Sequence, residues 1–403
     1  MRPSSKSSSK INLRTFGGAL GAILLLRLIF GLWALPISAK FPDTPLEKQV
    51  ALWPPQADWA ERVFVAPWMR YDALHYAHIL RDGYDLRDGT AAFHPLFPLL
   101  GRALQPLGLS PGAALLAVST IAALLLCLLL TRYAAKFHSD IPPESVAQLA
   151  LGGLCGFILL APYNESVFLC LAVGSVWAMR ERRFYLAGFL GALAALTRQQ
   201  GVILVLPLAW QFAVDWRARR VAWFHGFAIL LVPLGYALFV AYRALTLGDV
   251  HLASAHNAFD AAWRIVVSSS AQKVMPGQKP ALPWEVLASQ WHLLTTTPGA
   301  YHLAIDLFLG GAMALVALLG WKHLHPTERG FALGITALSL CYQNGATQPL
   351  MALPRHMMLA FPLYLTLARW SAKTPARRRL TLEVAFVINL FLAAAYFRHG
   401  WVP

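Results

Sequence analysis

The stretch 111–134, PGAALLAVSTIAALLLCLLLTRYA, contains one charged residue, Arg132, in a long apolar run. About 20 apolar residues suffice for a helix to cross the hydrocarbon core of a membrane, so this stretch predicts a transmembrane helix. The whole chain resembles it: 57% of the 403 residues are hydrophobic, 13% are charged, and the mean hydropathy is +0.52. Soluble domains carry about 25% charged residues. The composition therefore predicts an all-α, polytopic integral membrane protein.

Further apolar runs bring the prediction to about 11 transmembrane helices in a single domain, 1–403. The runs besides 111–134 are 15–35, 146–162, 165–181, 184–197, 201–215, 222–243, 301–321, 328–343, 355–370 and 380–397. The first has no small-residue cleavage site behind it, so we expect a retained helix rather than a signal peptide. The segment 93–108, FHPLFPLLGRALQPLG, is short and rich in proline. It predicts an interfacial or re-entrant helix supported by protein.

Basic residues predict the orientation. The chain has 34 Lys and Arg against 19 Asp and Glu, a net charge that in a soluble protein would suggest nucleic acid. Here the basic residues cluster in short connections, and such clusters mark the cytoplasmic side. With a cytoplasmic N-terminus, the cytoplasmic connections are 2–14, 132–136, 180–183, 217–220, 322–329 and 369–379. The C-terminus is then external, and 36–110 and 244–300 are predicted to form two long external loops.

The first external loop contains a dense polar cluster, RYDALHYAHILRDGYD, at 70–85. On a helix, Asp72, His75, Tyr76 and Ile79 share a face, which predicts an amphipathic helix on the membrane surface. A half-shielded carboxylate at Asp72 would be able to accept a proton from an attacking hydroxyl. The alternative is an ordinary solvated aspartate. His75 and His78 would both reach a metal ion, but the spacing specifies no third ligand, so no metal site is assigned.

Three other polar groups interrupt apolar sequence near the same face. APYNES places Asn164 and Glu165 between two predicted spans, LTRQQG provides Arg198 and Gln200, and LPRH provides Arg355 and His356. A charge at membrane depth costs about 3 kcal/mol, so it usually faces a cavity or a partner. Arginine binds phosphate oxygens bidentately, which suits an anionic lipid-linked substrate. The alternatives are snorkelling or satisfied turn residues, a helix cap at Asn164, and an ion pair between Arg198 and Glu165.

Two other expectations concern buried side chains. Arg27 lies in the middle of the first predicted span, and we expect an acidic partner on a neighbouring helix. The four cysteines lie in or beside apolar segments without metal-ligand spacing, so we expect them to pack without forming disulfides. They are Cys127, Cys155, Cys170 and Cys341.

Four of these motifs together resemble PIG-V-type mannosyltransferases, the family of the enzyme that adds the second mannose to GPI anchors. The run 70–85, followed by AAFHPLFPLL, is similar to the family signature WD-x-x-(H/Y)-(F/Y)-x-x-I-A-x-x-G-Y with A-F-F-P-x-(F/Y)-P after it. APYNESVF, LTRQQGVIL and LPRHMMLAFPLY resemble three further elements and occur in the family order. The chain departs from the pattern at Tyr71, where the family has Trp, and at Arg81 and Gln199.

The resemblance implies a GT-C membrane glycosyltransferase that uses a polyprenyl-phosphate mannose donor on the external face and inverts the anomeric carbon. It implies Asp72 as the general base and Arg198 and Arg355 as phosphate ligands. The other substrate-binding residues expected are His75, His94, Asn164, Glu165, Gln200 and His356. No cofactor is assigned, and a divalent metal, although compatible with the family, is not indicated. The partners implied are a glycolipid or protein acceptor and membrane lipids, without nucleic acid.

Two rival functions stay open at this point. Intramembrane charges and short helices also suit a secondary transporter, although no internal inverted repeat is visible in the sequence. Another GT-C enzyme that moves arabinose, glucose or a phosphoglycan unit fits the same motifs. The compact chain with short connections favours a bacterial inner membrane, whereas a eukaryotic protein of this kind would lie in the endoplasmic reticulum membrane.

Overall fold

The computed structural model describes residues 13–40, 59–248 and 277–398, and most of them are helical. The α-helices are Leu13–Lys40, Trp59–Phe64, Asp72–Asp82, Leu96–Leu104, Pro111–Phe137, Pro143–Gly152, Glu165–Arg180, Phe184–Thr197, Val205–Arg217, Ala228–Tyr242, Pro283–Thr296, Tyr301–Ile305, Gly311–Leu319, Pro326–Leu340, Leu353–Met357, Pro362–Ser371 and Pro375–Phe397. Short 3-10 or π turns extend several of them. Two strands, Lys279–Pro280 and Tyr342–Gln343, pair antiparallel.

Five helical stretches in the described chain are long and apolar enough to cross a membrane. They are Thr15–Ile37, Pro111–Phe137, Trp223–Leu247, Tyr301–Leu319 and Pro375–Phe397. The prediction of an all-α polytopic membrane protein is therefore confirmed. The other predicted spans form shorter helices, such as Glu165–Arg180 with 16 residues and Phe184–Thr197 with 14. Other helices cover most of Glu165–Arg180, whereas Phe184–Thr197 leaves Tyr185, Leu186 and Phe189 exposed on one side.

The basic connections predicted to be cytoplasmic come together on one face of the bundle. Lys136 pairs with Glu181, and Arg180 Nη1 lies 2.7 Å from Glu328 Oε1. A further pair joins Arg369 Nη2 to Asp140 Oδ1 at 2.8 Å. We call this surface, formed by residues 132–140, 180–183, 217–220, 322–329 and 369–379, the basic face. Its orientation toward the cytoplasm stays a prediction.

Three helices run from the basic face to the opposite end of the bundle. Glu165–Arg180, Phe184–Thr197 and Pro326–Leu340 each have one terminus at the basic face. At 1.5 Å per residue, a helix of 16 residues rises about 24 Å. Their other termini, at Glu165, Thr197 and Leu340, therefore lie far from the basic face, and we call this the cavity end.

The helix Asp72–Asp82 forms as predicted, but it does not lie exposed on the membrane surface. Most of its apolar side chains are buried: Ala73, Leu74, Tyr76, Ala77, Ile79 and Leu80. They pack against Leu96–Leu104 and Pro111–Phe137, where Gly101 permits close approach because a Cβ there would lie 2.8 Å from Leu80 Cδ2. The expectation of a surface helix is therefore wrong, because neighbouring helices cover the apolar face.

The segment 93–108 contains the short helix Leu96–Leu104 and a 3-10 turn at Gln105–Leu107. Leu99 and Leu107 are exposed while Phe97 is buried, so one side of the segment packs on protein. The two predicted external loops, 36–110 and 244–300, are only partly described. Their parts 41–58 and 249–276 lie outside the described residues, as do both chain termini.

Two expectations about side chains need correction. The Arg27 guanidinium donates hydrogen bonds to Thr120 Oγ1 at 2.5 Å and to Leu116 O at 3.2 Å, and it lies 5.1 Å from the centroid of a Trp68 ring. Neutral acceptors and an aromatic face therefore take the place of the expected acid. Of the four cysteines, which form no disulfide, three are buried or half-buried, but Cys341 is exposed.

Candidate active site

A cavity of about 250 Å³ opens at the cavity end, where the four sequence motifs meet. Helix termini supply the side chains that matter most. Asp72 begins one helix, Asn164 immediately precedes another, and Arg198 follows the last residue of Phe184–Thr197. Six of the predicted site residues line the wall: Asp72, His94, Asn164, Arg198, Gln200 and His356.

Four charged side chains form a continuous chain behind and along the cavity wall. Arg355 Nη2 donates to Asp72 Oδ2 at 2.6 Å, and Arg355 Nε donates to Glu165 Oε1. Arg198 Nη1 donates to the same Glu165 oxygen and to Asn164 Oδ1, the latter at 2.8 Å. We call Asp72, Arg355, Glu165 and Arg198 the charge chain. Positive and negative groups alternate along it, so each charge has an opposite neighbour.

The backbone immediately before Asp72 is strained. Tyr71 has φ 50° and ψ −118°, a conformation that costs a residue with a Cβ on the order of 1–3 kcal/mol. Surrounding contacts hold it: Tyr163 Oη donates to Arg70 O at 3.1 Å, and the Tyr71 and Tyr396 rings lie 6.1 Å apart. The strained turn starts the helix at Asp72 and directs this carboxylate to the cavity.

Asp72 is ionised at neutral pH. Burial raises the pKa of Asp72, but the charge and hydrogen bond of Arg355 outweigh it, so the pKa lies below its usual value. The side chain keeps 30% of its surface exposed, whereas that of Arg355 keeps 12%. An ionised carboxylate open to a cavity can accept a hydrogen bond or a proton from a bound hydroxyl.

Neutral groups cover another part of the wall. His94 Nδ1 lies 2.7 Å from Ala195 O, which assigns the proton to Nδ1 and leaves Nε2 as an acceptor. Burial lowers the pKa of His94 to about 3, so the ring is neutral at pH 7. Gln200 accepts from Arg198 Nε at 3.3 Å, while His356 lines the cavity nearby. Such groups suit uncharged hydroxyls better than a second anion.

Asn164 links three elements of the site. Its Nδ2 donates to Tyr76 Oη at 2.7 Å and to Thr197 O at 2.7 Å, while its Oδ1 accepts from Arg198. Its side chain makes no capping hydrogen bond to the following helix. Asn164 therefore positions Arg198 and Tyr76, and the capping alternative does not hold.

Three residues expected at the site do not reach the cavity wall. Glu165 and Arg355 lie behind it in the charge chain. The His75 ring stacks on Phe93 with centroids 4.8 Å apart, and Phe93 itself lines the cavity. His78 pairs with Asp82 and Asp88. Within the described ranges, no group of three or more His, Cys, Asp or Glu side chains is arranged to hold a metal ion.

The cavity wall also contains residues that were not among the predicted catalytic and substrate-binding residues. They include Tyr76, Phe93, Gln199, Arg243, Gln278, Leu338, Ser339, Tyr342 and Asn344. Two of them meet beside the strand pair: Gln278 directly precedes Lys279–Pro280, and Tyr342 Oη donates to Gln278 Oε1 at 3.0 Å. Arg243, at the end of an apolar run, and the polar segment 341–348, CYQNGATQ, were the signals that the sequence offered.

No protein-family model matches the chain, and no curated protein matches it either. Among solved structures, five chains match. One is the oligosaccharyltransferase of Archaeoglobus fulgidus in complex with Zn and sulfate, to which this chain is similar with a TM-score of 0.42 and 14% identity. The alignment covers 94% of this chain but 53% of the other, so this chain spans about half the length of that protein.

Proposed function

We propose that this protein is a GT-C membrane glycosyltransferase that transfers a mannosyl residue from a polyprenyl-phosphate donor to a glycolipid or protein acceptor. The observation that carries the proposal is the ionised Asp72, open to a polar cavity that Arg198 also lines. A base beside a cation is what transfer from a lipid phosphate to a hydroxyl requires. The order of the four motifs along the chain supports the mannosyltransferase assignment.

In the proposed reaction, the acceptor hydroxyl oxygen attacks C1 of the mannose, and the bond from C1 to the phosphate oxygen breaks. Asp72 takes the hydroxyl proton, and the polyprenyl phosphate leaves with the bonding electron pair. Attack from the face opposite the phosphate inverts C1, so a β-linked donor gives an α-linked product. A phosphodiester is a good leaving group, so positioning and charge stabilisation supply most of the catalysis.

Arg198 is the proposed ligand of the departing phosphate. Its Nε and Nη1 are held by Gln200, Asn164 and Glu165, whereas its Nη2 makes no hydrogen bond within the described part of the chain. The guanidinium is therefore fixed in orientation and keeps donor capacity for a phosphate oxygen. Arg355 supports the site differently, because it is bound to both Asp72 and Glu165.

The polyprenyl chain is proposed to lie in an apolar groove beside the cavity. This groove, of about 380 Å³, is lined by residues including Leu80, Pro98, Leu238 and Phe239. Phe239 also contacts the His94 ring, with centroids 4.9 Å apart, so the groove and the cavity share a wall. Each buried methylene of the lipid would contribute about 0.8 kcal/mol to binding.

Incubation of membranes with radiolabelled polyprenyl-phosphate mannose tests the proposal. We expect label in a lipid or protein acceptor with the parent protein and none with Asp72→Asn. Parallel donors carrying glucose or arabinose test the rival transferases, and uptake of solute into sealed vesicles tests the transporter. Transfer of another sugar without mannose transfer would overturn the mannosyl assignment. Uptake without any sugar transfer would overturn the enzyme.

The proposed orientation puts the cavity end outside and the basic face in the cytoplasm. Thr297 and Ser139 are exposed positions on the predicted external and cytoplasmic sides. In a variant without the native cysteines, we expect Thr297→Cys to react with an impermeant maleimide added to intact cells. Ser139→Cys should react after permeabilisation only. The reverse pattern would invert the proposed orientation.

A further inference from the structure

An apolar groove of about 780 Å³ lies near the basic face, away from the candidate active site. It is formed between the helix Leu13–Lys40 and the helices Pro111–Phe137, Pro143–Gly152 and Pro375–Phe397. Its wall is mostly apolar, with Leu25, Leu128, Leu151 and Phe386 among the lining residues. The size falls in the range of about 300–1,000 Å³ that is typical of ligand sites.

The groove faces the membrane. One side of the groove is formed by the helix Leu13–Lys40, which has few contacts with the rest of the bundle. Large apolar side chains along it, such as Leu24, Leu28 and Leu32, are exposed. Gly18 lines the groove, and a Cβ at this position would meet no atom within 4 Å. An apolar space of this kind in a transmembrane surface is accessible to lipid chains.

A polar mouth continues the groove. A second cavity, of about 490 Å³, shares Gln148, Leu382 and Glu383 with the groove and is lined by Thr374, Arg378 and Arg379 among others. Three consecutive arginines, 377–379, start the helix Pro375–Phe397. Two acids, Glu144 and Glu383, also lie along the two cavities, and Arg379 Nε pairs with Glu383 at 2.7 Å. The polar cavity itself is lined by Arg378, Arg379 and Glu383, so the charged groups of the mouth sum to +1.

Arg378 is held in place at this mouth. Its Nη2 donates to Gln148 Oε1 at 3.1 Å, a bond that links the two helices bordering the polar cavity. Thr374 Oγ1 accepts from Arg377 N at 3.2 Å and so defines the start of the helix. The partial positive charge of a helix N-terminus adds to that of the guanidinium groups.

We propose that the groove and its mouth bind an anionic phospholipid, with acyl chains between the helices and the phosphate at Arg378 and Arg379. Arginine is suited to phosphate by its paired donors, and basic sites between transmembrane helices bind anionic headgroups. The site differs from the proposed donor site, because the basic face and the cavity end lie about 24 Å apart along a helix of 16 residues. Its lipid is therefore a structural partner rather than a substrate.

Native mass spectrometry of the detergent-solubilised full-length protein tests the proposal with phosphatidylglycerol and phosphatidylcholine as probes. We expect phosphatidylglycerol to bind about tenfold more tightly, because its headgroup has a net negative charge, whereas the choline cation of phosphatidylcholine offsets its phosphate and is repelled by Arg378 and Arg379. The double variant Arg378→Gln/Arg379→Gln should lose this preference. A matched control, Arg217→Gln/Lys322→Gln, removes the same charge from exposed positions on the basic face and should keep it.

Gly18→Phe tests the groove separately, with every charge retained. The added ring fits the open space, so the fold should persist, and binding of both lipids should fall at least fivefold because the acyl site is filled. If Arg217→Gln/Lys322→Gln loses the preference for phosphatidylglycerol as fully as Arg378→Gln/Arg379→Gln does, the basic face attracts anionic lipids without a defined site. The same conclusion follows if Gly18→Phe binds both lipids as the parent protein does. Either result overturns the proposal. Since neither variant touches Asp72, the outcome does not depend on the proposed enzyme activity.

Discussion

Two buried glutamates at opposite ends of the bundle each bind arginine, yet their surroundings differ. Glu165 at the cavity end and Glu328 at the basic face both have fully buried side chains. A buried carboxylate is costly unless its charge and its oxygen atoms are satisfied. The number of hydrogen-bond partners at the two oxygens of each carboxylate distinguishes a structural cluster from a candidate reaction site.

Glu328 is fully satisfied. Its Oε1 accepts from Tyr133 Oη, from His138 Nε2 at 2.9 Å and from Arg180 Nη1 at 2.7 Å, while its Oε2 accepts from His325 N at 2.7 Å. These bonds join three helices and a turn. None of the residues that line the candidate active site takes part in these bonds. The Glu328 cluster is therefore a structural link between helices.

Glu165 is satisfied at one oxygen. Its Oε1 accepts from Arg198 and Arg355, but its buried Oε2 has no partner within the described part of the chain. The charge chain to which it belongs ends at Asp72, which is open to the cavity. Stability alone would favour satisfying every group, and within the charge chain it is Asp72 and Arg198, which line the cavity, at which we expect substrate to bind.

The largest expected difference between the two clusters is in catalysis. Asp72→Asn keeps the shape of the side chain but removes the proton acceptor, so turnover should fall by about 100-fold or more. The melting temperature in detergent should change little, because the Asp72 side chain is partly exposed and Arg355 keeps its ion pair with Glu165. Initial rates with radiolabelled donor and a thermal unfolding scan measure the two effects. Near-normal turnover would remove Asp72 from the catalytic role.

Glu328→Gln should do the opposite. It leaves Arg180 and His138 without their anionic partner in a buried site, which should lower the free energy of unfolding by about 3 kcal/mol. The effect should be seen as a lower melting temperature, with turnover per folded molecule unchanged. A variant that kept its stability and lost activity would contradict the division between a structural and a reactive cluster.

The residues of the candidate active site could be predicted from the sequence, whereas the Glu328 cluster could not. Asp72, Arg198 and His356 lie in local motifs, so their common position could be inferred before the structure. Glu328 lies in a basic connection and gave no sign of its role. Its partners come from distant helices, Tyr133 and Arg180 among them. Contacts of this kind depend on tertiary packing, which a local pattern does not encode.

The fold was also predicted in part. Hydropathy identified the helical, membrane-spanning class, but it does not separate helices that face lipid from helices covered by protein. Eleven spans, several of them short, were expected, and the described part of the chain has five helical stretches long enough to cross a membrane together with shorter apolar helices such as Phe184–Thr197. Likewise, the amphipathic pattern at 72–82 did not reveal which helices would bury it. Gln278 and Tyr342 meet beside a strand pair of two residues a side, which is too short to show a sequence periodicity.

Removing Arg355 should change the pH dependence of the proposed reaction. Arg355 keeps the pKa of Asp72 below its usual value, so the base is ionised down to acidic pH. In Arg355→Gln the effect of burial is no longer opposed by that charge, and the pKa of Asp72 should rise. The acid limb of kcat/KM should then move to higher pH by about 1–3 units.

The matched control for this shift is Arg180→Gln, which removes an arginine from the Glu328 cluster instead. Its acid limb should stay where it is in the parent protein, although its melting temperature should fall. If Arg355→Gln lowers activity at all pH values without moving the limb, the Asp72–Arg355 contact does not control the proton acceptor.

The smallest effect expected is that of Arg198→Lys, and it tests whether Arg198 serves substrate or structure. Lysine keeps a positive charge beside Glu165 but loses the planar set of donors that now reaches Asn164, Glu165 and Gln200. If Arg198 binds the donor phosphate, KM for the donor should rise about tenfold, which corresponds to about 1.4 kcal/mol. The melting temperature should stay close to that of the parent protein.

Arg180→Lys in the Glu328 cluster is the control and should show the reverse, with unchanged donor KM and reduced thermal stability. Unchanged donor kinetics together with a lower melting temperature in Arg198→Lys would make its pair with Glu165 structural, and the two clusters would then differ in their exposure to the cavity alone.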